Sequence, residues 1–153
     1  METVRDILDR KGTVVRTVSP GDTVFEAVRR MDEFQVGALL VMEGEKLAGI
    51  ITERDYARKV ILKGRASAST LVGEIMSHRV THVGPGETVE RCMAIMTERN
   101  VRHLPVVDHG KVAGMLSMRD LLTSRTAMNT FISRQLNMPV GKAGSDSNDS
   151  PSP

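Results

Sequence analysis

Gly49-Ile50-Ile51-Thr52-Glu53-Arg54-Asp55 returns 65 residues later as Gly114-Met115-Leu116-Ser117-Met118-Arg119-Asp120. Each run is a glycine, two aliphatic residues, a hydroxyl and, three places on, an aspartate. Working outward at the same shift, Ser19-Pro20-Gly21-Asp22-Thr23-Val24 falls on Gly84-Pro85-Gly86-Glu87-Thr88-Val89. From Pro20 to Asp55 the alignment needs no gap and 14 of its 36 pairs are identical, so the chain is internally duplicated. Further upstream, Asp6-Ile7-Leu8 matches Glu74-Ile75-Met76 at a shift of 68, which makes Lys11-Gly12-Thr13 an insertion in the first copy.

Both copies read alike. Val24, Ala27, Val28 and Met31 are spaced as one face of a helix, as are Val89, Cys92, Met93 and Met96. Pro20-Gly21-Asp22 leads into that helix as a turn, and Thr23-x-x-Glu26 has the form of a capping box. Aliphatic runs over 36–42 and 101–107 predict strands, closed by hairpin turns at Glu43-Gly44-Glu45-Lys46 and Asp108-His109-Gly110-Lys111. Second strands over 47–52 and 112–117 lead to second helices beginning at Glu53 and Met118. The expected fold is α/β (α+β): two units of order strand-helix-strand-strand-helix, packed sheet to sheet about a pseudo-two-fold axis. Residues 1–65 form the first unit, 66–130 the second and 131–153 a mostly disordered extension. One unit is too short to bury much core alone, and nearly continuous apolar strands need cover on both faces. Ile61 to Ser69 reads as the loop between copies, and the tail from Gly141 is too polar and too rich in Gly, Ser and Pro to build a core.

Composition removes several classes of function. Lys and Arg number 21 against 19 Asp and Glu, scattered along the chain, so the net charge of +2 gives no nucleic-acid footprint. No apolar run approaches a membrane span, and the N-terminus lacks the pattern of a signal peptide. The expected location is cytoplasmic, without membrane contact. The single cysteine, Cys92, excludes an internal disulfide and a cysteine-based zinc site, and its place on the apolar helix face predicts a buried small hydrophobe. Met31, Met93 and Met96 are core residues by the same spacing. His78 and His82 lie four apart in an extended segment with no acid to complete a metal set. There is no phosphate loop of the Gly-x-x-x-x-Gly-Lys type, and no nucleophile, base and acid at a defensible spacing.

The motifs Thr52-x-x-Asp55 and Ser117-x-x-Asp120 stand where a strand hands over to a helix, and two readings fit them. One is structural: a capping box, worth about 1 kcal/mol of helix stability. In the other, the carboxylate accepts both hydroxyls of a ribose, while the hydroxyl and helix N-terminus receive a phosphate. The two are compatible.

With these motifs, the strand Val101-Arg102-His103-Leu104-Pro105-Val106-Val107-Asp108 and the two Pro-Gly-x-Thr-Val helix openings, the chain resembles tandem cystathionine β-synthase (CBS) domains. Such a pair is often called a Bateman module, and the resemblance runs from about Val4 to Arg125. It implies a regulatory, signal-transducing module that is not an enzyme and requires no cofactor. An adenine nucleotide (AMP, ADP, ATP or an NAD-type dinucleotide) would bind in clefts between the units, and the output would be homodimer assembly or an unidentified regulated protein. No other domain adjoins the pair within the sequence, which matches the small stand-alone class found in bacteria and plant organelles. Carried over residue by residue, one cleft would comprise Ile50, Thr52 and Asp55 with His82, Val101, Arg102 and His103. The other would comprise Met115, Ser117 and Asp120 with Thr17, Val18, Val36, Gly37 and Ala38. Arg102 and His103 would favour phosphate in the first cleft, where the first copy has only Gly37 and Ala38. Arg16 or Arg99 would have to compensate in the second. Arg54 and Arg119 are expected to steady the helix starts or touch the sister unit. The alternative function is a ligand-independent interaction module, and a nucleotide hydrolase or transferase has no visible machinery.

Overall fold

The computed structural model describes residues 1–136. Its first half runs through helix α1 (Val4–Lys11), a two-residue strand β1 (Thr17–Val18), helix α2 (Val24–Phe34) and strands β2 (Ala38–Glu43) and β3 (Lys46–Thr52). Helix α3 (Glu53–Tyr56) follows and continues into a π-helical turn, Ala57–Ile61. The second half repeats the plan with α4 (Val72–Ile75), α5 (Val89–Arg99), β4 (His103–Asp108), β5 (Lys111–Ser117) and α6 (Met118–Leu121), then adds α7 (Arg125–Gln135).

The duplication is kept down to its irregularities. Both hairpins are antiparallel, and their registers slip at the same place, between Val41 and Met42 and between Val106 and Val107. Helices α2 and α5 open at Thr23 and Thr88, whose hydroxyls accept from the amides of Glu26 and Arg91. Each ends on a left-handed residue, Gln35 or Asn100, both at φ 53. The capping box expected at Thr23 is only half formed. The Glu26 carboxylate accepts from Arg29 and Arg30 instead of reaching back to the Thr23 amide, because charged donors compete better than a neutral one. The first strand also differs between copies. Thr17 and Val18 pair in parallel with Leu40 and Val41, whereas the second copy has a single bridge, Val83 to Val106. The five-element order is therefore complete only in the first unit.

Two cores form, and each recruits a helix from the other half. Leu39, Val41, Ile51, Val24, Ala27 and Met31 pack with Val72 and Ile75 of α4. Leu104, Val106, Leu116, Cys92, Met93 and Met96 pack with Val4, Ile7 and Leu8 of α1. The cores thus cross the 65/66 division that the sequence suggests. Leu40 points away from the Leu39 and Val41 side of β2 and is also fully buried, so both faces of that strand are covered.

These exchanges explain the motif glycines. A Cβ on Gly49 would lie 2.7 Å from the Ser77 carbonyl oxygen and 2.9 Å from Met76 Sδ. On Gly114 it would lie 2.8 Å from Leu8 Cδ2. Neither glycine is at positive φ; close approach of a neighbouring segment demands each of them. Cys92 is fully buried as expected, and its thiol is pushed up to about 12, chiefly by desolvation and next by the Glu87 carboxylate. Helix α7 runs across residue 130, and its Phe131 packs on the second core. The disordered tail expected from Gly141 lies outside the described residues. Among those described, no helix is long and apolar enough to cross a membrane.

Candidate functional site

At the end of β3 the chain is extended at Thr52 (φ −123, ψ 164) and then turns helical. Ser117 does the same at the end of β5 (φ −113, ψ 163). The Asp55 amide donates to Thr52 Oγ1 at 3.1 Å, and Asp55 Oδ2 accepts from the Thr52 amide at 2.9 Å and its hydroxyl at 3.1 Å. In the second copy the corresponding distances are 3.2, 2.8 and 3.0 Å. Both motifs are therefore complete capping boxes. Both carboxylates also face open space, because each lines a cavity at the junction of the halves.

The first cavity, ≈ 480 Å³, brings Ile50, Thr52 and Asp55 together with Val101, Arg102 and His103, crosswise between the units as expected. His82 is not among its walls. It lines a separate groove beside the hairpin turns with His78 and His109, while Thr81 faces the cleft. This irregular segment gives Arg79, Val80 and Thr81 in succession to the cleft wall, and His82 is the first residue past it. Ser77 and Arg79 join the wall from the same segment. Arg54, another wall residue, donates to the Asn100 carbonyl at 3.2 Å, the contact with the sister unit expected of it.

A second cavity, ≈ 1050 Å³, brings Met115, Ser117 and Asp120 together with Val36, Gly37 and Ala38. Thr17 and Val18 are absent from it. They are committed to β1, where Val18 is buried in the first core and the Thr17 carbonyl accepts from Arg30. Their neighbour Arg16 lines the cavity instead, its guanidinium 4.0 Å from the centre of the Phe34 ring, whereas Arg99 does not. Arg119 also stands on this wall. Both cavities have the size and mixed lining of small-molecule sites.

The expected contrast between the clefts is corrected by geometry. Arg102 and His103 line both cavities, so they do not mark the first alone. Gly37 also borders both, and a Cβ there would meet Glu53 Oε1 at 3.2 Å and His103 Cε1 at 3.6 Å. The surroundings of His103 favour its neutral form. Burial pushes its pKa below the ordinary 6.5, the charges of Arg102 and Lys11 push the same way, and Asp120 only partly opposes them.

A different contrast emerges. Asp55 Oδ1 is held at 3.0 Å by Lys59, one turn along its own helix, and Lys59 is itself anchored on the Ile75 carbonyl at 2.9 Å. Lys59 does not line the cleft. The residue at the corresponding place in the second copy is Ser124. There Asp120 receives its cation from Lys11, whose Nζ donates to Asp120 Oδ2 at 2.7 Å and to the Met115 carbonyl at 2.7 Å, inside the cavity. Lys11, like Ser77, Arg79 and Thr81 on the first cleft's wall, is a residue that the sequence reading missed. The insertion at residues 11–13 was its only signal, and that signal has meaning only once α1 is seen to pack on the second core. No group of three or more His, Cys, Asp or Glu that could hold a metal ion is found among the described residues.

The comparisons with known proteins bear on the family and the fold. The family model of the CBS domain matches twice, at residues 4–62 and 72–126. The chain is 41% identical over 129 residues to the mitochondrial CBS domain-containing protein CBSX3 of Arabidopsis thaliana, a match covering 78% of this chain and 63% of the plant protein's length. The structure of a putative signal-transduction protein with CBS domains from Burkholderia ambifaria MC40-6 superposes with a TM-score of 0.78 at 48% identity, covering 79% of this chain and 91% of the other. The CBS domain pair of protein MJ0100, solved with 5′-methylthioadenosine and S-adenosyl-L-methionine, gives a TM-score of 0.72 at 26% identity, covering 80% of this chain and 94% of the other. With two matched copies meeting at two motif-lined clefts, the chain belongs to the CBS-domain family as a tandem pair.

Proposed function

We propose that this CBS pair is a regulatory module that binds adenosyl ligands, AMP, ADP, ATP or an NAD-type dinucleotide among them, in its two inter-unit clefts and changes its conformation or assembly in response. The observation that carries the reading is the placement of Asp55 and Asp120, each on the wall of a cavity that both units build. A carboxylate offers about four lone-pair sites. Asp55 spends them on three donors spread over both oxygens, and Asp120 directs all three of its donors to Oδ2. Each keeps acceptor capacity for a sugar hydroxyl. Aliphatic neighbours, Ile50 and Val101 in one cleft and Val36 and Met115 in the other, offer apolar surface for a base. The MJ0100 pair, with its two adenosyl compounds, supports the ligand class. Homodimer formation belongs to the same proposal, since Phe25, Ile61 and Leu62 expose large apolar side chains at 58%, 58% and 76%.

Isothermal titration with AMP, ATP, NADH and S-adenosyl-L-methionine tests the reading, with Asp55→Asn and Asp120→Asn alongside the native protein. At least one compound should bind, and each substitution should abolish or weaken one site. If none binds, the second reading takes its place. In that reading the pair is a ligand-independent interaction module, and the complete capping boxes at Thr52 and Ser117 are the observation that favours it.

A further inference from the structure

We propose that Lys11 determines the specificity of the second cleft, reserving it for adenosyl ligands that carry an anionic group, a phosphate above all, and disfavouring neutral nucleosides. This rests on the nucleotide-binding reading above and assigns that site a residue from outside the duplicated motif.

In the second cleft the Lys11 ammonium already sits on Asp120 Oδ2 and on the Met115 carbonyl, both at 2.7 Å. The two side chains are only 32% and 20% exposed. A ribose whose two hydroxyls span both oxygens of Asp120 also takes Oδ2, where Lys11 sits, and a neutral ligand that does so gives the ammonium no acceptor in return, at a place where water replaces the loss only in part. A ligand bearing a phosphate supplies a new acceptor within the cavity, so the sugar can engage Asp120 while Lys11 turns to the phosphate. Arg16 and Arg102 on the same wall add positive charge around that position. The first cleft has no such gate. Its lysine, Lys59, meets Asp55 Oδ1 from outside the cavity and is held there by the Ile75 carbonyl, so it does not stand in the cleft where a phosphate would lie. Lys11 reaches Asp120 because α1 packs into the second core, and it opens the segment 11–13 that the second copy lacks.

The test compares AMP with adenosine by isothermal titration in an Asp55→Asn background, which disables the first cleft. Into that background go Lys11→Met, Lys11→Gln, which keeps a hydrogen-bond donor without the charge, and Lys11→Arg. With Lys11 present, AMP should bind more tightly than adenosine. In Lys11→Met and Lys11→Gln that preference should shrink about tenfold, the scale of one partly exposed charge-assisted contact, and Lys11→Arg should retain it. An unchanged preference in the two uncharged variants overturns the role of Lys11 and leaves the nucleotide-binding reading standing. If neither the native protein nor the Asp55→Asn background binds any adenosyl compound, both are overturned.

Discussion

Asp55 and Asp120 end the same motif and cap the same kind of helix, yet each is neutralised from a different direction. Lys59 approaches Asp55 along its own helix and stays behind the cleft wall. Lys11 approaches Asp120 from the exchanged helix of the other half and stands in the cleft itself. The same contrast appears one layer out. Gly49 is pressed by a backbone carbonyl, Ser77 O, and Gly114 by the flexible tip of Leu8. A duplicated site can therefore diverge without changing its motif, because the segments packed against the motif come from non-equivalent parts of the chain.

The largest effect expected concerns the exchange itself. Ile7, 1% exposed, belongs by sequence to the first unit and by packing to the second core. Ile7→Ala should cost about 2–5 kcal/mol in chemical denaturation, and its loss of hydrogen-exchange protection should centre on β4 and β5. Protection lost mainly from β2 and β3 would contradict the exchange. Next come the motif glycines. Gly49→Ala should destabilise by about 2–3 kcal/mol, because a carbonyl cannot move aside, and Gly114→Ala by about 1 kcal/mol, because Leu8 can repack. Equal losses would remove this contrast between the halves.

Titration offers a third handle, since His103 borders both clefts. Its folded pKa is lowered, first by burial and then by the neighbouring cations, while the unfolded value is the ordinary 6.5. Between those two values the unfolded chain binds more protons, so stability falls as pH drops below about 6.5 and levels off below the folded value. Denaturation midpoints at about pH 7.5 and 5.5 should show this loss in the native protein and a smaller one in His103→Gln. The smallest effect concerns Cys92, whose buried thiol, pushed up to about 12, should react with a thiol reagent only as fast as the protein opens.

How much of this could be read from residues alone follows the same division. Hairpins, long helices and motif junctions were legible because apolar period, turn residues and repetition all pointed one way. Helix α1 was not, because Val4, Ile7 and Leu8 define an apolar face without saying which core receives it. Lys11 was hidden for the same reason, its importance depending on a contact more than a hundred residues away. His82 was misplaced by one residue and Val18 by two. Thr81 faces the first cleft where His82 does not, and Arg16 faces the second where Val18 is buried. Irregular segments lack the long periodic run that fixes which side chains turn inward.

A crystal structure grown with saturating AMP measures most directly whether the motif aspartates hold a sugar. The expected result is AMP between the halves, its ribose hydroxyls within hydrogen-bond distance of the Asp55 or Asp120 carboxylate. AMP bound elsewhere, or both clefts empty at a concentration where calorimetry detects binding, would contradict it.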